Sequence, residues 1–190
     1  MLINQVSEGR FGWIRRMGEH EYYHQDFRNR WTHWLCIPVE LLIIIKILSI
    51  LSFWSIGSVK IDFALVAIAL LAPFYLLTEF LMGSAMVLAL LYLYHCATLL
   101  IFDSNTAVVF YIILFAIVFS LQTKLGHGRF EIDGRDDTER NLAEVRKTWN
   151  PLPLFLIFYY HLVEVFFALG YRPKLQATMR GFRDHHAATF

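Results

Sequence analysis

Two stretches of the chain carry side chains whose types and spacing could hold a metal ion. In Gly126-His127-Gly128-Arg129-Phe130-Glu131, the residues His127 and Glu131 are four apart and share one face of a helix. Imidazole together with carboxylate is the ligand chemistry of non-haem Fe(II) and Zn(II) sites. The two glycines let a ligand or a second helix approach closely. The same residues also suit a helix end with Gly126 as a left-handed cap, and both interpretations stay open.

The other stretch contains His24 and His33, which are nine residues apart. At about 100° per residue they point to opposite faces of a straight helix, so they can meet only if the chain turns between them. Residues 26–29 could form that turn, and Asn29 is expected to be the N-cap of a new helix that carries His33. The alternative is an interfacial amphipathic helix whose histidines have no function.

The composition of the chain indicates that these residues belong to a membrane protein. Of the 190 residues 57% are hydrophobic and 17% are charged, against about 25% charged in soluble domains. Long apolar runs occupy 34–56, 63–78, 81–102, 107–121 and 152–169, and a span needs about 20 apolar residues. We therefore predict an all-α, polytopic membrane protein with about four to five transmembrane helices and a histidine-bearing site at one membrane face.

The polar segments divide this single membrane domain of residues 1–190. They are an interfacial N-terminal segment (1–33), a hydrophilic loop (122–150) and a polar tail (171–190). The first 33 residues contain no apolar region of the kind found in a cleavable signal peptide. Five arginines precede the first run and six basic residues follow the fourth, whereas the connections between them hold only Lys60. The positive-inside rule therefore predicts that both basic segments face the cytosol.

Two further polar residues interrupt the last apolar run. His161 and Glu164 are three residues apart and can share a helix face, so they could line a substrate cavity. Alternatively they form a buried polar pair between helices. The net charge of +1 gives no indication of nucleic acid binding. Cys36 and Cys96 lie in apolar surroundings and are expected to pack as small hydrophobic residues.

Three motifs, in the same order and with similar apolar spacing, resemble a known family. They are His24-x4-Asn29-x3-His33-x4-Pro38, then Gly126-His127-x3-Glu131, and the closing stretch Leu169-Gly170-Tyr171-Arg172-Pro173-Lys174. Over residues 20–180 the chain is similar to the yeast-type 2-hydroxy fatty acid dioxygenases, which are small endoplasmic-reticulum membrane proteins of fatty-acid α-oxidation. Where that family has Gln four residues before the Gly-His histidine, this chain has Thr123, with Gln122 one residue earlier. The stretch 132–140 is longer and more acidic than in the family.

The resemblance implies an Fe(II)-dependent enzyme that uses O2 to shorten a 2-hydroxy fatty acid by one carbon. It implies that His24, His33 and His127 are metal ligands, and that Glu131 is a fourth ligand or orients His127. The lipid chain would lie among apolar helices. Candidate substrate-binding residues are Asn29, Lys124, Arg129, Arg16, His161 and Glu164.

Three classes of function therefore stand as expectations. The first is the iron dioxygenase, located in the endoplasmic reticulum of a eukaryote or the inner membrane of a bacterium. The second is another membrane enzyme for lipids or terpenoids, either a metal hydrolase or a cyclase. The third is a transporter or an assembly factor, although the paired repeats of transporters are not found.

Overall fold

The computed structural model describes residues 9–56, 59–102, 104–131, 143, 146–147 and 152–188. Within these residues the chain is mostly helical, as predicted. The helices are α1 (Trp13–Tyr23), α2 (Phe27–Ile50), α3 (Phe63–Thr78), α4 (Phe80–Thr98), α5 (Asn105–Leu121), α6 (Leu152–Ala168) and α7 (Pro173–Ala188). A 3-10 turn (Arg10–Gly12) precedes α1, and α5 continues into a π-helix (Gln122–His127) and a last helical turn (Gly128–Phe130).

Three helical segments are long and apolar enough to cross a membrane: Phe27–Ile50, Phe80–Thr98 and Thr106–Phe130. This confirms the prediction of apolar helices that could span a bilayer. Two further apolar helices, Phe63–Thr78 and Phe155–Ala168, are shorter. A helix of 16 residues such as α3 is about 24 Å long, which is less than the ~30 Å hydrocarbon core. The count of four to five spans therefore stays a prediction.

An antiparallel hairpin, which the sequence analysis did not predict, joins α2 to α3. Strand β1 (Ser52–Ile56) pairs with strand β2 (Val59–Asp62). Asp62, at the end of β2, is the N-cap of α3 because its Oδ1 accepts a hydrogen bond from the Leu65 amide at 2.9 Å. Its Oδ2 accepts from the Tyr94 hydroxyl at 2.8 Å. A polar residue of the hairpin thus begins the next apolar helix.

The chain forms two compact units, residues 32–124 and residues 1–31 with 125–190. In the unit 32–124, α3 packs against α4, and Ile43 of α2 packs with Ala107 and Tyr111 of α5. The buried Lys46 donates a hydrogen bond to the Leu100 carbonyl at 3.0 Å. This contact stabilises a carbonyl just after α4 and gives a partner to a charged group inside an apolar helix. Cys36 and Cys96 are both free thiols.

In the unit 1–31 with 125–190, α1 packs closely along α7 and also contacts α6. The Trp13 and Tyr159 rings meet edge to face with centroids 5.8 Å apart. Gly18 sets the separation of α1 and α7, because a Cβ built on it would lie 2.5 Å from the Met179 carbonyl oxygen and 2.9 Å from Phe182 Cβ. The close approach of two backbones requires a glycine here.

We expect Gly18→Ala to lower the free energy of unfolding by roughly 1–3 kcal/mol, because the added methyl group pushes α1 away from α7. Gly181→Ala in α7 is the matched control, since nothing lies within 4 Å of its added Cβ. That variant should gain up to about 1 kcal/mol from helix propensity. Thermal unfolding of the detergent-solubilised chain measures both, and equal effects of the two substitutions would contradict the close packing at Gly18.

Candidate metal centre

The chain turns between His24 and His33, as the spacing of the two histidines requires. Helix α1 ends at Tyr23 and α2 begins at Phe27, and His24 lies at the break with φ −103° and ψ 46°. The expected N-cap role of Asn29 is wrong, because Asn29 lies inside the first turn of α2. The cap is Asp26, whose Oδ1 accepts from the Arg28 amide at 2.8 Å. Hydrogen bonds from the Arg28 side chain and backbone lower the pKa of Asp26 to about 2.

The ring of His24 is held in one tautomer by the backbone of α1. His24 Nδ1 lies 3.1 Å from the carbonyl oxygen of His20, and because a carbonyl can only accept, this nitrogen must carry the hydrogen. Nε2 of the neutral ring therefore has a lone pair and lies 3.4 Å from Glu131 Oε1. A lone pair facing a carboxylate oxygen in a buried site favours a proton or a cation nearby.

Glu131 joins three groups through one carboxylate oxygen. Its Oε1 lies 2.8 Å from His127 Nδ1 and accepts a hydrogen bond from Asn29 Nδ2 at 3.2 Å, in addition to the contact with His24. The side chain of Glu131 is fully buried. Its second oxygen, Oε2, is buried too and has no hydrogen-bond partner among the described residues. Asn29 thus holds the carboxylate by a hydrogen bond, and the two imidazole nitrogens lie at ion-pair distance from the same oxygen.

His127 lies where α5 has continued beyond its expected end. The hydrophilic loop predicted from residue 122 begins as the π-helix and the last helical turn, which runs to Phe130. The alternative of a helix end capped by Gly126 is therefore wrong, because Gly126 lies within the π-helix and does not have a positive φ. His127 Nδ1 lies against the Glu131 carboxylate at ion-pair distance, without the geometry of a hydrogen bond. A histidine beside a buried carboxylate is typical of metal sites.

His33 is held by a chain of side chains within the unit 32–124. The surrounding donors and acceptors assign the Gln122 amide the orientation with its nitrogen towards Glu40, at 2.6 and 3.2 Å from the two carboxylate oxygens. Its oxygen then accepts from His33 Nε2 at 3.3 Å, which leaves the lone pair of this ring on Nδ1. Glu40, Gln122 and His33 are all buried.

One ring nitrogen from each of His24, His33 and His127 lies within 4.8 Å of the others, so the three histidines form a group that could bind a metal ion. The helix α2 that carries His33 begins with the turn that holds Asn29, four residues earlier and on the same face. All three histidines are buried, with at most 7% of any of them exposed. The buried carboxylate of Glu131 supplies negative charge beside the neutral rings, and this donor set fits a divalent cation.

The remaining predicted site residues are not members of this group. His161 and Glu164 do share a face, with His161 Nδ1 3.3 Å from Glu164 Oε2. The ring centroid of His161 lies 6.3 Å from that of His24. Lys124 and Arg129 are exposed, and Arg16 is half-buried. A role in substrate binding stays a prediction for each of them. The acidic stretch 132–140 lies outside the described residues.

His20 is the neighbour that sequence reasoning missed. It is buried, its ring stacks on His24 with centroids 3.9 Å apart, and it lies 5.3 Å from His161. Its carbonyl fixes the tautomer of His24. The spacing of four between His20 and His24 is the signal that could have found it, since residues four apart lie on one helix face.

Comparison with known proteins gives no match: no family model, no curated protein and no solved structure corresponds to this chain.

We expect His24→Ala, His33→Ala and His127→Ala each to abolish stoichiometric metal binding, because each removes one imidazole of the group. His185→Ala in exposed α7 is the matched control and should bind metal like the parent chain. Glu131→Ala should weaken metal binding by about 10–100-fold, as is typical of the loss of an orienting group. Elemental analysis of purified protein loaded with Fe(II) or Zn(II) measures this, with size-exclusion chromatography to confirm folding. Full metal content in any of the three histidine variants would remove that residue from the site.

A second prediction concerns Glu40, which acts on His33 through Gln122. Glu40→Leu should weaken metal binding by about 10–100-fold while saturating metal still restores one ion per chain, because the ring loses its fixed tautomer and not its nitrogen. Exchange of the two side chains, Glu40→Gln with Gln122→Glu, keeps an acceptor beside His33 and should recover most of the affinity. Metal titration measures both variants, with Glu79→Gln as a control outside the site. Unchanged affinity in Glu40→Leu would contradict the positioning role.

Proposed function

We propose that this chain is a membrane-embedded, Fe(II)-dependent dioxygenase that shortens a 2-hydroxy fatty acid by one carbon. The observation that carries the proposal is the buried group of His24, His33 and His127 beside the carboxylate of Glu131. The resemblance of the same residues to the yeast-type 2-hydroxy fatty acid dioxygenases supports the choice of reaction. For a eukaryotic chain, the same resemblance supports a location in the endoplasmic reticulum.

A three-histidine site leaves coordination positions open for a substrate. Bound Fe(II) would supply Lewis-acid binding of two substrate oxygens and redox chemistry with O2. The carboxylate and the 2-hydroxyl of the substrate would both bind such an ion, which an acid without the hydroxyl group cannot do. Binding through both groups would hold the bond between C1 and C2 at the site.

The overall reaction needs no external reductant. Oxidation of a 2-hydroxy acid to the acid one carbon shorter, with C1 released as carbon dioxide, removes four electrons, and one O2 accepts four. The products are then the shortened acid, carbon dioxide and one water, and all atoms of the two reactants are accounted for. A site with neutral imidazoles and no dedicated reductant is sufficient for this stoichiometry.

The residues of the chain have distinct roles in this proposal. The His20 carbonyl orients the ring of His24 and Glu131 lies against Nδ1 of His127, so that Nε2 of both rings would be available to the metal. Asn29 donates to Glu131 and so keeps the carboxylate in place. The largely apolar segments 27–50, 80–98 and 106–130 offer a surface for the acyl chain, which is transferred from the bilayer without desolvation of polar groups.

A zinc hydrolase is the alternative that the site itself favours, because three histidines with an open position are also the donor set of catalytic Zn(II). The identity of the metal separates the two. Iron that co-purifies with the chain supports the dioxygenase, and zinc supports the hydrolase. The cyclase, the transporter and the assembly factor have no comparable observation in their favour.

We expect purified, Fe(II)-loaded protein to consume O2 with a long-chain 2-hydroxy fatty acid and to release the acid one carbon shorter. An oxygen electrode and mass spectrometry of the fatty acids measure the two events. The unsubstituted acid should not turn over and the 3-hydroxy acid should react poorly, because neither has a 2-hydroxyl group beside the carboxylate. His127→Ala is the inactive control. If fully iron-loaded protein consumes no 2-hydroxy acid of any chain length, the assignment is wrong.

A further inference from the structure

A cavity of about 180 Å³ lies within the unit 1–31 with 125–190, beside the histidines. Its walls come from α1, the first turn of α2, α6 and α7. His20 lines this cavity, whereas His24, on which the His20 ring stacks, does not. The cavity is therefore distinct from the group of three histidines, and neither the resemblance nor the proposed reaction accounts for it.

Two polar atoms of the cavity residues are buried without a hydrogen-bond partner among the described residues. One is the acceptor Glu21 Oε2 and the other is the donor Arg30 Nε. The other carboxylate oxygen of Glu21 already faces Arg183 Nη1 at 3.7 Å and Arg180 Nε at 4.0 Å. Unpaired buried polar atoms are costly, and a donor and an acceptor on two residues that line one cavity, without bonding each other, indicate a ligand that bonds both.

The polar groups of the lining determine what that ligand must carry. The charged residues that line the cavity are Arg30, Arg180, Glu21 and Glu164, and their charges sum to zero. Glu21 is already paired with Arg180 and Arg183, so the Nε–H of Arg30 is the donor left for a ligand, and a guanidinium binds an oxyanion in its planar fork. Glu21 Oε2 needs a hydrogen on the ligand, and a hydroxyl group next to the oxyanion supplies it without adding charge.

We propose that this cavity binds the polar end of a lipid that carries an oxyanion with an adjacent hydroxyl group. Arg30 binds the oxyanion and Glu21 accepts the hydrogen bond from the hydroxyl. The volume takes a polar head and not an acyl chain, since a cavity of ~150 Å³ holds one benzene. The chain leaves past the exposed Ala168, which lines the cavity at the end of α6. Binding in this cavity needs no metal, so it can be tested separately from the proposed function.

Two sources supply this chemistry, and two soluble probes distinguish them. Glycerophosphoglycerol represents the phosphodiester head group of a membrane lipid, and 2-hydroxyhexanoate represents a hydroxylated fatty acid. Hexanoate lacks the hydroxyl group and is the matched control. Binding to the full chain in detergent is measured by saturation-transfer NMR and by calorimetry, first on metal-free protein and then after loading with Fe(II).

We expect at least one of the two hydroxylated probes to bind metal-free protein about tenfold more tightly than hexanoate does. The probe that binds identifies the source of the ligand. Binding of neither probe overturns the proposal, as expected for a cavity that holds only water. Binding that requires Fe(II) also overturns it, because the probe then occupies the histidine site. Loss of turnover with intact metal-free binding would instead count against the proposed function alone.

Substitutions test the contacts of Arg30 and Glu21 with the ligand. Arg30→Gln should weaken binding about tenfold or more, and Arg30→Lys should recover part of the loss because it keeps the charge. Glu21→Met should abolish the preference for 2-hydroxyhexanoate over hexanoate. Ala168→Leu narrows the opening from an exposed position, so it tests the cavity even if the buried variants fold poorly. Arg15→Gln, on the exposed part of α1, is the charge-matched control. Parent-like binding in both Arg30→Gln and Ala168→Leu would place the probe elsewhere.

Discussion

The carboxylate of Glu131 is the constraint on which the arrangement around the histidines depends. It is fully buried, and among the described residues its contacts are one amide and two imidazoles, all on a single oxygen. Burial of an ionised carboxylate is expensive unless charge or hydrogen bonds compensate it. The residue after α1, the first turn of α2 and the helical segment after α5 therefore have to present His24, Asn29 and His127 to the same atom.

A consequence of this arrangement is that the rings are ordered before any ligand arrives. His24 Nδ1 bonds the His20 carbonyl, His127 Nδ1 lies 2.8 Å from Glu131 Oε1, and His33 Nε2 faces the Gln122 amide. Each ring is thereby oriented by a neighbour, namely a backbone carbonyl, a carboxylate or a side-chain amide. Binding of a cation costs less reorganisation when the ligand nitrogens are already oriented. The proposed chemistry rests on this preorganisation more than on any single histidine.

The sequence predicted the helices better than the caps and connections between them. Apolar runs predicted the helices, because hydrophobicity over about 20 residues is a strong signal, and the nine-residue spacing of His24 and His33 correctly required a turn. The cap of α2 was assigned to Asn29, although Asp26 has it and Asn29 bonds Glu131 instead. Both residues are good caps, and only a partner 102 residues away distinguishes them. His20 and the hairpin after α2 were missed, since they depend on tertiary packing and not on local pattern.

The π-helix between Gln122 and His127 changes how this chain has to be compared with others. In a π-turn the hydrogen-bonded groups are five residues apart, whereas in an α-turn they are four residues apart. The π-turn therefore accommodates one extra residue without ending the helix. Gln122, five residues before His127, thereby takes the place that a residue four before it has in a regular α-helix. In an alignment, the correct gap would therefore fall in the middle of a continuous helix, where gaps are ordinarily penalised most. An ungapped alignment with a chain that has a regular α-helix here would pair Thr123, and not Gln122, with the residue four before the histidine.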